Sequence, residues 1–178
     1  MRVLEHRRHT MRDKPGEHIN QFGVSLARRV GETMGVFDRV ITSTMPRAFE
    51  TAIAMGYAVH EQVEWLTIYP TAIDAEMPPG GTWATLARGV VTGPTINAFA
   101  RSQAAYCHAL IDALPENGRA LLVSHGGFVE LTTIGVLMVD AVGVDYAAWG
   151  TDVNYCEGAR LTFDGGRCVY AERLWATG

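Results

Sequence analysis

The stretch Arg119-Ala120-Leu121-Leu122-Val123-Ser124-His125-Gly126-Gly127 is the most strand-like part of this sequence, and it ends in a histidine and two glycines. Residues 115–118 (Pro-Glu-Asn-Gly) precede it as a turn signal. A short apolar run between turn signals is typical of a buried strand in a parallel sheet. We therefore predict a strand over residues 119–124 that delivers His125 to the carboxyl edge of the sheet, where ligands bind.

Strand and helix patterns alternate along the rest of the chain. The predicted strands are residues 2–8, 37–42, 158–163 and 168–174, the last two joined by the hairpin signal Asp164-Gly165-Gly166. The predicted helices are residues 21–34, 46–55, 95–114 and 128–138. Short connections between alternating strands and helices indicate an α/β fold, in which helices cover a parallel sheet.

Two of these helices carry detailed expectations. In residues 21–34 the apolar stripe at helical spacing consists of Phe22, Leu26, Val30 and Met34. For the helix over residues 46–55, Ser43 or Thr44 is expected to be the N-cap, with Pro46 in the first turn. Residues 57–91 are rich in proline and glycine and predict an insertion over the sheet edge, with a short helix over residues 82–89.

Length and composition limit the class of protein. The 178 residues predict a single domain over residues 1–178, and 48% hydrophobic with 19% charged residues indicates a globular protein. A net charge of −4 argues against nucleic acid as a partner, and no apolar run is long enough to indicate a membrane segment.

Three widely spaced cysteines, Cys107, Cys156 and Cys168, favour a reducing, cytoplasmic location. The oligomeric state is not specified by any of these features.

Polar side chains follow three of the predicted strands. Arg8 and His9 end the first strand, Arg47 follows the second within residues 43–48 (Ser-Thr-Met-Pro-Arg-Ala), and His125 follows the strand over 119–124. Because carboxyl ends of parallel strands share one edge, these two histidines and two arginines are expected to converge on one anion.

This set of residue types suits phosphoryl transfer to a histidine. A neutral imidazole, His9, is the expected nucleophile, and the guanidinium groups of Arg8 and Arg47 bind the phosphoryl oxygens. His125 is a further donor, while Gly126 allows backbone to approach the ligand and the next helix presents N-terminal N–H groups to it. Taken singly, Arg47 could be a solvated arginine and His125 a hydrogen-bonded core histidine.

A general acid for the leaving oxygen is still required. Asp74 and Glu76, in residues 72–77 of the insertion, are the candidates, although carboxylates in loops are usually only solvated. No metal or organic cofactor is predicted.

Together these motifs resemble the histidine phosphatase superfamily, also called the phosphoglycerate mutase-like family. Its Arg-His-Gly motif is similar to Arg8-His9-Thr10, its Ser-x-x-x-Arg-Ala-x-x-Thr pattern to residues 43–51, and its Ser-His-Gly-Gly motif to residues 124–127. The resemblance spans nearly the whole chain. It implies a three-layer α/β/α sandwich with a mostly parallel central sheet, a phosphohistidine at His9, and phosphate binding by Arg8, Arg47 and His125.

The same resemblance favours Glu76 over Asp74 as the proton donor and places Thr10 and Gly126 among the substrate-binding residues. Two departures stand out: Thr10 replaces the usual glycine, and Glu5, His6 and Arg7 make the first strand unusually polar.

The predicted function is a phosphatase that hydrolyses a small phosphomonoester through a phosphohistidine. A mutase that returns the phosphoryl group to its substrate is one alternative, disfavoured because Pro15 stands near the place of an asparagine that mutase-like members carry. A protein that binds a phosphorylated ligand with little turnover is the other.

Overall fold

A computed structural model describes residues 1–176. The strands are β1 (Arg2–Arg8), β2 (Arg39–Ser43), β3 (Glu61–Val63), β4 (Arg119–Ser124), β5 (Gly158–Asp164) and β6 (Arg167–Leu174). The α-helices are α1 (Gln21–Glu32), α2 (Pro46–Ala54), α3 (Trp83–Thr92), α4 (Pro94–Ala113) and α5 (Phe128–Val139). Two short 3₁₀ turns, Glu64–Leu66 and Thr71–Ala75, lie between β3 and α3.

The strands form one sheet in the order β3-β2-β4-β1-β5-β6. Strands β1 to β4 are parallel to one another, whereas β5 runs antiparallel to both β1 and β6. The mostly parallel sheet is therefore confirmed. Strand β3 was not predicted, because its residues lie at the exposed sheet edge and carry none of the apolar pattern of a buried strand.

Helices cover both faces of the sheet. Leu4 and Leu122 pack with residues of α4 and α5 on one face. Leu121 and Val123, which alternate with Leu122 along β4, pack with Ala48 and Ala52 of α2 on the other face. Helix α1 packs beside α2 through Ala27, Val30 and Met55. The predicted three-layer sandwich is confirmed.

The polar first strand is stabilised by a buried charge cluster. Glu5 is fully buried, and its carboxylate forms ion pairs with Arg7 at 3.2 Å, Arg119 at 2.9 Å and Arg160 at 3.0 Å. Since a buried carboxylate needs opposite charges and hydrogen-bond donors, the three guanidinium groups explain how β1 can carry a glutamate inside the protein.

Several local expectations need correction. Phe22 is 79% exposed, and the buried face of α1 consists of Gly23, Ala27, Val30 and Gly31. The N-cap of α2 is Met45 instead of Ser43 or Thr44, because Ser43 hydrogen-bonds His125 and Thr44 hydrogen-bonds Thr67.

The insertion contains β3, the two 3₁₀ turns and α3. Helix α3 starts where the sequence predicted but extends to Thr92, and the Thr82 hydroxyl caps it by accepting from the Thr85 N–H. Within residues 1–176, every helix is too short or too polar to span a bilayer.

Candidate active site

The site lies at the carboxyl ends of β1, β4 and β2, three neighbouring parallel strands. His9 follows β1 and His125 follows β4, and their ring centroids are 5.3 Å apart in an edge-to-face arrangement. Ser43 ends β2, and its Oγ lies 2.9 Å from His125 Nε2. The sheet order thus brings together residues that are up to 116 positions apart in the sequence.

His9 is buried, with 6% of its surface exposed, and its Nδ1 lies 2.7 Å from the carbonyl oxygen of Thr10. Because a carbonyl oxygen only accepts, Nδ1 carries the proton of the neutral ring and Nε2 holds a free lone pair. Burial, together with the charges of Arg47 and Arg8, lowers the pKa of His9 to about 4 against the opposing effect of the Thr10 hydrogen bond. His9 is therefore a neutral imidazole near pH 7.

Arg8 is held from one side by the segment that precedes β5. Its Nη1 donates to the Val153 carbonyl at 2.8 Å, and the guanidinium carbon lies 4.8 Å from the centroid of the Tyr155 ring. The Tyr155 ring is also 6.0 Å from the His9 ring. Gly126 lies on another side, where an added Cβ would be 3.5 Å from the guanidinium. These contacts hold the Arg8 guanidinium beside the His9 ring. Part of the guanidinium remains free of them.

Arg47 lies in the first turn of α2, where its charge lowers the pKa of His9 and His125 after the larger effect of burial. Its Nη1 donates to a carboxylate oxygen of Glu17, which belongs to the loop between β1 and α1. Arg12 in the same loop adds a third positive charge near both His9 and Arg47. Sequence reasoning missed Arg12 and Glu17; the signal was their charge, three and eight residues after His9.

His125 is half-buried and has one nitrogen without a partner. The Ser43 hydroxyl can donate to Nε2, which leaves Nδ1 as the N–H of the neutral ring. Burial, with the charges of Arg47 and His9, lowers the pKa of His125 to about 3.

Several buried polar atoms of this site lack a hydrogen-bond partner within residues 1–176. They are Arg8 Nε, Arg47 Nε and His125 Nδ1. Unsatisfied buried donors are costly, so their presence in one site indicates a ligand with several acceptor oxygens.

Thr10, which was predicted to bind substrate, has all its polar groups bonded inside the protein. Its side chain is fully buried, its hydroxyl donates to the Gly23 carbonyl at 3.0 Å, and its N–H donates to the Thr51 hydroxyl at 3.0 Å. Its carbonyl oxygen accepts from His9 Nδ1. Thr10 therefore orients the His9 ring.

Glu76, the expected general acid, is bound at a helix N-terminus. Its carboxylate accepts from the N–H groups of Thr95 and Ile96, both at 2.9 Å, and so caps the N-terminus of α4. These hydrogen bonds lower the pKa of Glu76, which keeps the group ionised. This geometry does not support the expectation that Glu76 is favoured over Asp74.

Asp74 lines a cleft of about 520 Å³ together with Arg47 and His125. Thr67, Tyr69 and Met77 of the insertion line the same cleft, as do Gly126, Gly127 and Phe128. Asp74 is thus the carboxylate that faces the site.

The N-terminus of α5 differs from the expectation that its N–H groups point at the anion. The Gly127 N–H donates to Glu130 at 2.7 Å, and the second oxygen of this buried carboxylate accepts from the Val153 N–H at 2.7 Å. Sequence reasoning missed Glu130, which joins the loop after His125 to the segment that holds Arg8.

Comparison with known structures identifies the fold. A phosphoserine phosphatase from Entamoeba histolytica, solved with 3-phosphoglyceric acid, has a TM-score of 0.69, 18% identity and 98% coverage of both chains. The chain has the phosphoglycerate mutase-like fold. A mycobacterial glucosyl-3-phosphoglycerate phosphatase has a TM-score of 0.64, 18% identity and 99% coverage of both chains.

A phosphoglycerate mutase from Bacillus anthracis has the same fold, with a TM-score of 0.62 and 16% identity over 97% of this chain and 92% of the mutase. No protein-family model matches the sequence, and no curated protein is similar to it in sequence. The resemblance drawn from the three motifs is therefore confirmed by three-dimensional structure, at the level of the fold.

Proposed function

We propose that this protein is a phosphatase that hydrolyses a small phosphomonoester through a phosphohistidine at His9. The observation that carries the proposal is the neutral, oriented imidazole of His9 next to buried, unpaired donors of Arg8, Arg47 and His125. A phosphoryl group supplies the tetrahedral set of oxygens that such donors bind.

In the first half-reaction His9 Nε2 attacks phosphorus, so that a P–N bond forms as the P–O bond to the leaving alcohol breaks. Arg8 and Arg47 bind the non-bridging oxygens, and His125 Nδ1–H donates to the charge that develops on them. Asp74, in its protonated form, gives a proton to the leaving oxygen.

In the second half-reaction water attacks the phosphoryl group and Asp74 takes up its proton. The P–N bond breaks, which restores neutral His9 and releases inorganic phosphate. Oxygens of the phosphoryl group replace the Glu17 carboxylate at Arg47 when substrate binds.

Replacement of the nucleophile tests this proposal. For His9→Ala we expect hydrolysis of phenyl phosphate to fall by at least about 10³-fold without loss of the fold, since loss of a nucleophile removes the covalent route. A brief reaction with a labelled phosphodonor, followed by acid-free denaturation, should trap an acid-labile phosphoenzyme in the unsubstituted protein and none in His9→Ala. His60→Ala, at an exposed histidine, is the control. Retained turnover in His9→Ala would remove His9 from this role.

A mutase is the second candidate, because a phosphoglycerate mutase shares the fold. Release of inorganic phosphate from 3-phosphoglycerate, compared with its conversion to another phosphoglycerate isomer, distinguishes the two activities. A phosphoenzyme that never forms would instead favour a protein that binds phosphorylated ligands without turnover.

We also infer a cytoplasmic location. The three cysteines are all buried and free, which agrees with a reducing compartment.

A further inference from the structure

We propose that the cleft selects phosphomonoesters whose leaving group is uncharged and has an apolar face, and that it discriminates against leaving groups that carry a carboxylate. This inference rests on the proposed function, since it assigns the substrate class of the same site. It follows from the residues that line the cleft beyond the phosphate-binding arginines.

The lining of the cleft consists of two chemically different groups of residues. Arg47, His125 and Gly126 belong to the proposed phosphate site. The segment from Thr67 to Met77 contributes Tyr69, Asp74 and Met77, and Phe128 adjoins both groups, with its ring 5.9 Å from that of His125 and 5.6 Å from that of Tyr69. We call the second group the leaving-group end, because the leaving group of a phosphomonoester held by the first would contact it.

The charges of the lining residues favour an uncharged leaving group. Among the residues described, the formally charged side chains that line the cleft are Arg47 and Asp74. His125 adds no positive charge near pH 7, because its pKa is lowered to about 3.

A carboxylate on the leaving group would find no further cation among the side chains that line the cleft. Arg8 and Arg47 are needed for the phosphoryl oxygens, and Arg12, the third positive charge near His9, does not belong to the lining. A carboxylate in a partly desolvated site loses hydration, and without an ion pair nothing compensates for that loss.

The walls of this end offer aromatic and thioether surface. The Tyr69 ring packs edge-to-face against Phe99 and Phe128, with centroid distances of 5.6 Å in both cases. Because Phe99 and Phe128 are themselves buried, the Tyr69 ring is held in a fixed orientation. Together with Met77 it forms a rigid surface that an apolar leaving group can cover.

Tyr69 also provides a polar group for orientation. Its hydroxyl is buried and has no hydrogen-bond partner within the described part of the chain. Burial raises the pKa of Tyr69 to about 12, so the hydroxyl stays protonated and can donate to an ether or hydroxyl oxygen of the substrate. The cleft thus combines an apolar wall with one neutral hydrogen-bonding group.

The first experiment measures binding without turnover. Calorimetric titration of the His9→Ala protein compares 2-phenylethyl phosphate with 3-phosphoglycerate, both of which are phosphate esters of alkyl alcohols. We expect 2-phenylethyl phosphate to bind at least about tenfold more tightly, because its phenyl ring covers the apolar wall whereas the carboxylate of 3-phosphoglycerate is desolvated without a cation partner. Equal or tighter binding of 3-phosphoglycerate would overturn the inference.

The second experiment introduces the missing cation. In the His9→Ala background, Met77→Lys should shift the affinity ratio of the two esters at least about tenfold toward 3-phosphoglycerate, because the new ammonium pairs with its carboxylate. Ile68→Lys is the matched control, since Ile68 is 60% exposed and lies outside the cleft lining. If the affinity ratio of the two esters shifts equally in Met77→Lys and Ile68→Lys, Met77 does not belong to the leaving-group end.

Turnover by the unsubstituted protein separates this inference from the proposed function. If neither ester is hydrolysed, phosphatase activity is refuted, yet the affinity ratio of the His9→Ala protein still decides the selectivity of the cleft. If both esters are hydrolysed but 3-phosphoglycerate has the higher kcat/KM, the selectivity is refuted and the phosphatase proposal stands. If neither ester binds, both are refuted.

Discussion

Glu76 and Asp74 show that the role of a carboxylate depends on the hydrogen bonds that reach it. The two residues are separated by one position in an exposed segment, and residue type alone allows either to be an acid. The N–H groups of Thr95 and Ile96 bind Glu76, whereas Asp74 is left facing the cleft. The same holds for His9, whose unprotonated nitrogen is selected by the Thr10 carbonyl.

The two carboxylates therefore give a matched pair of variants. With 2-phenylethyl phosphate, Asp74→Asn should lower kcat by about 100- to 10,000-fold, because the poor leaving group departs without a proton. Glu76→Gln should keep kcat close to that of the unsubstituted protein and reduce thermal stability slightly, since a charged cap of α4 is lost. Steady-state phosphate release and thermal unfolding measure the two effects.

A substrate with a better leaving group provides the control for Asp74→Asn. With 4-nitrophenyl phosphate the rate of the initial nitrophenolate burst, which reports the first half-reaction alone, should fall much less, because the nitrophenolate needs no proton. Equal losses with both substrates, or a large loss in Glu76→Gln, would contradict the assignment of Asp74 as the acid.

In the proposed mechanism Glu17 competes with the phosphoryl group for Arg47. In Glu17→Gln the charge that pairs with Arg47 is removed, so inorganic phosphate should inhibit with a Ki that is lower by about two- to fivefold, as expected for loss of a partly exposed ion pair. The measurement is competitive inhibition of phenyl phosphate hydrolysis. Glu116→Gln, at an exposed loop position, is the control, and an unchanged Ki in Glu17→Gln would show that the ion pair does not limit phosphate binding.

At the scale of secondary-structure elements, Glu130 in the first turn of α5 forms hydrogen bonds with two separate segments of the site. One of its oxygens accepts from the Gly127 N–H and the other from the Val153 N–H. The Val153 carbonyl in turn accepts from Arg8. Helix α5 therefore helps to position Arg8 through a buried carboxylate that touches no predicted substrate atom.

Removal of this carboxylate should affect both stability and substrate binding. Glu130→Ala leaves the Gly127 and Val153 N–H groups unsatisfied, which costs about 1–3 kcal/mol for each buried donor. We expect a lower urea midpoint, and a higher KM for phenyl phosphate because Arg8 loses part of its support. Glu116→Ala is the surface control. An unchanged KM with reduced stability would confine Glu130 to a structural role.

At the scale of the whole molecule, three histidines in or just after the central strands have low pKa values. Burial lowers the pKa of His6 to about 3, and burial is also the largest cause for His9, at about 4, and His125, at about 3. In the unfolded chain each would titrate near its ordinary value of about 6.5. Between about pH 4 and pH 6.5 the unfolded state therefore binds more protons than the folded state.

This difference determines how stability depends on pH. The free energy of unfolding should fall as pH is lowered from about 6.5 to about 4, since protons then favour the unfolded state. Urea unfolding at several pH values measures the slope, and His9→Ala should have a flatter slope over the same range because one such histidine is missing. Parallel curves for the two proteins would show that the pKa of His9 is not depressed in the folded state.

The fold was largely predictable because its signals are local. Residues 119–124 are apolar and lie between turn signals, and the same limits are found for β4. Strand β3 was missed because an exposed edge strand of three residues has no buried face to leave a pattern. Phe22 was assigned to the buried face of α1 from its hydrophobicity, but it is exposed. Small residues occupy the buried face because α1 approaches its neighbour closely there, with Gly31 against the backbone of Met55.

The sequence by itself determined the strand and helix order and the four residues, Arg8, His9, Arg47 and His125, that follow strands at one sheet edge. Periodicity and motif spacing encode these features, since they depend on neighbours along the chain. Only the tertiary structure decided that Thr10 supports the nucleophile, that Glu76 caps α4, and that Asp74 faces the cleft. Those roles depend on hydrogen-bond partners from distant segments, which become neighbours only when the sheet and its helices have assembled.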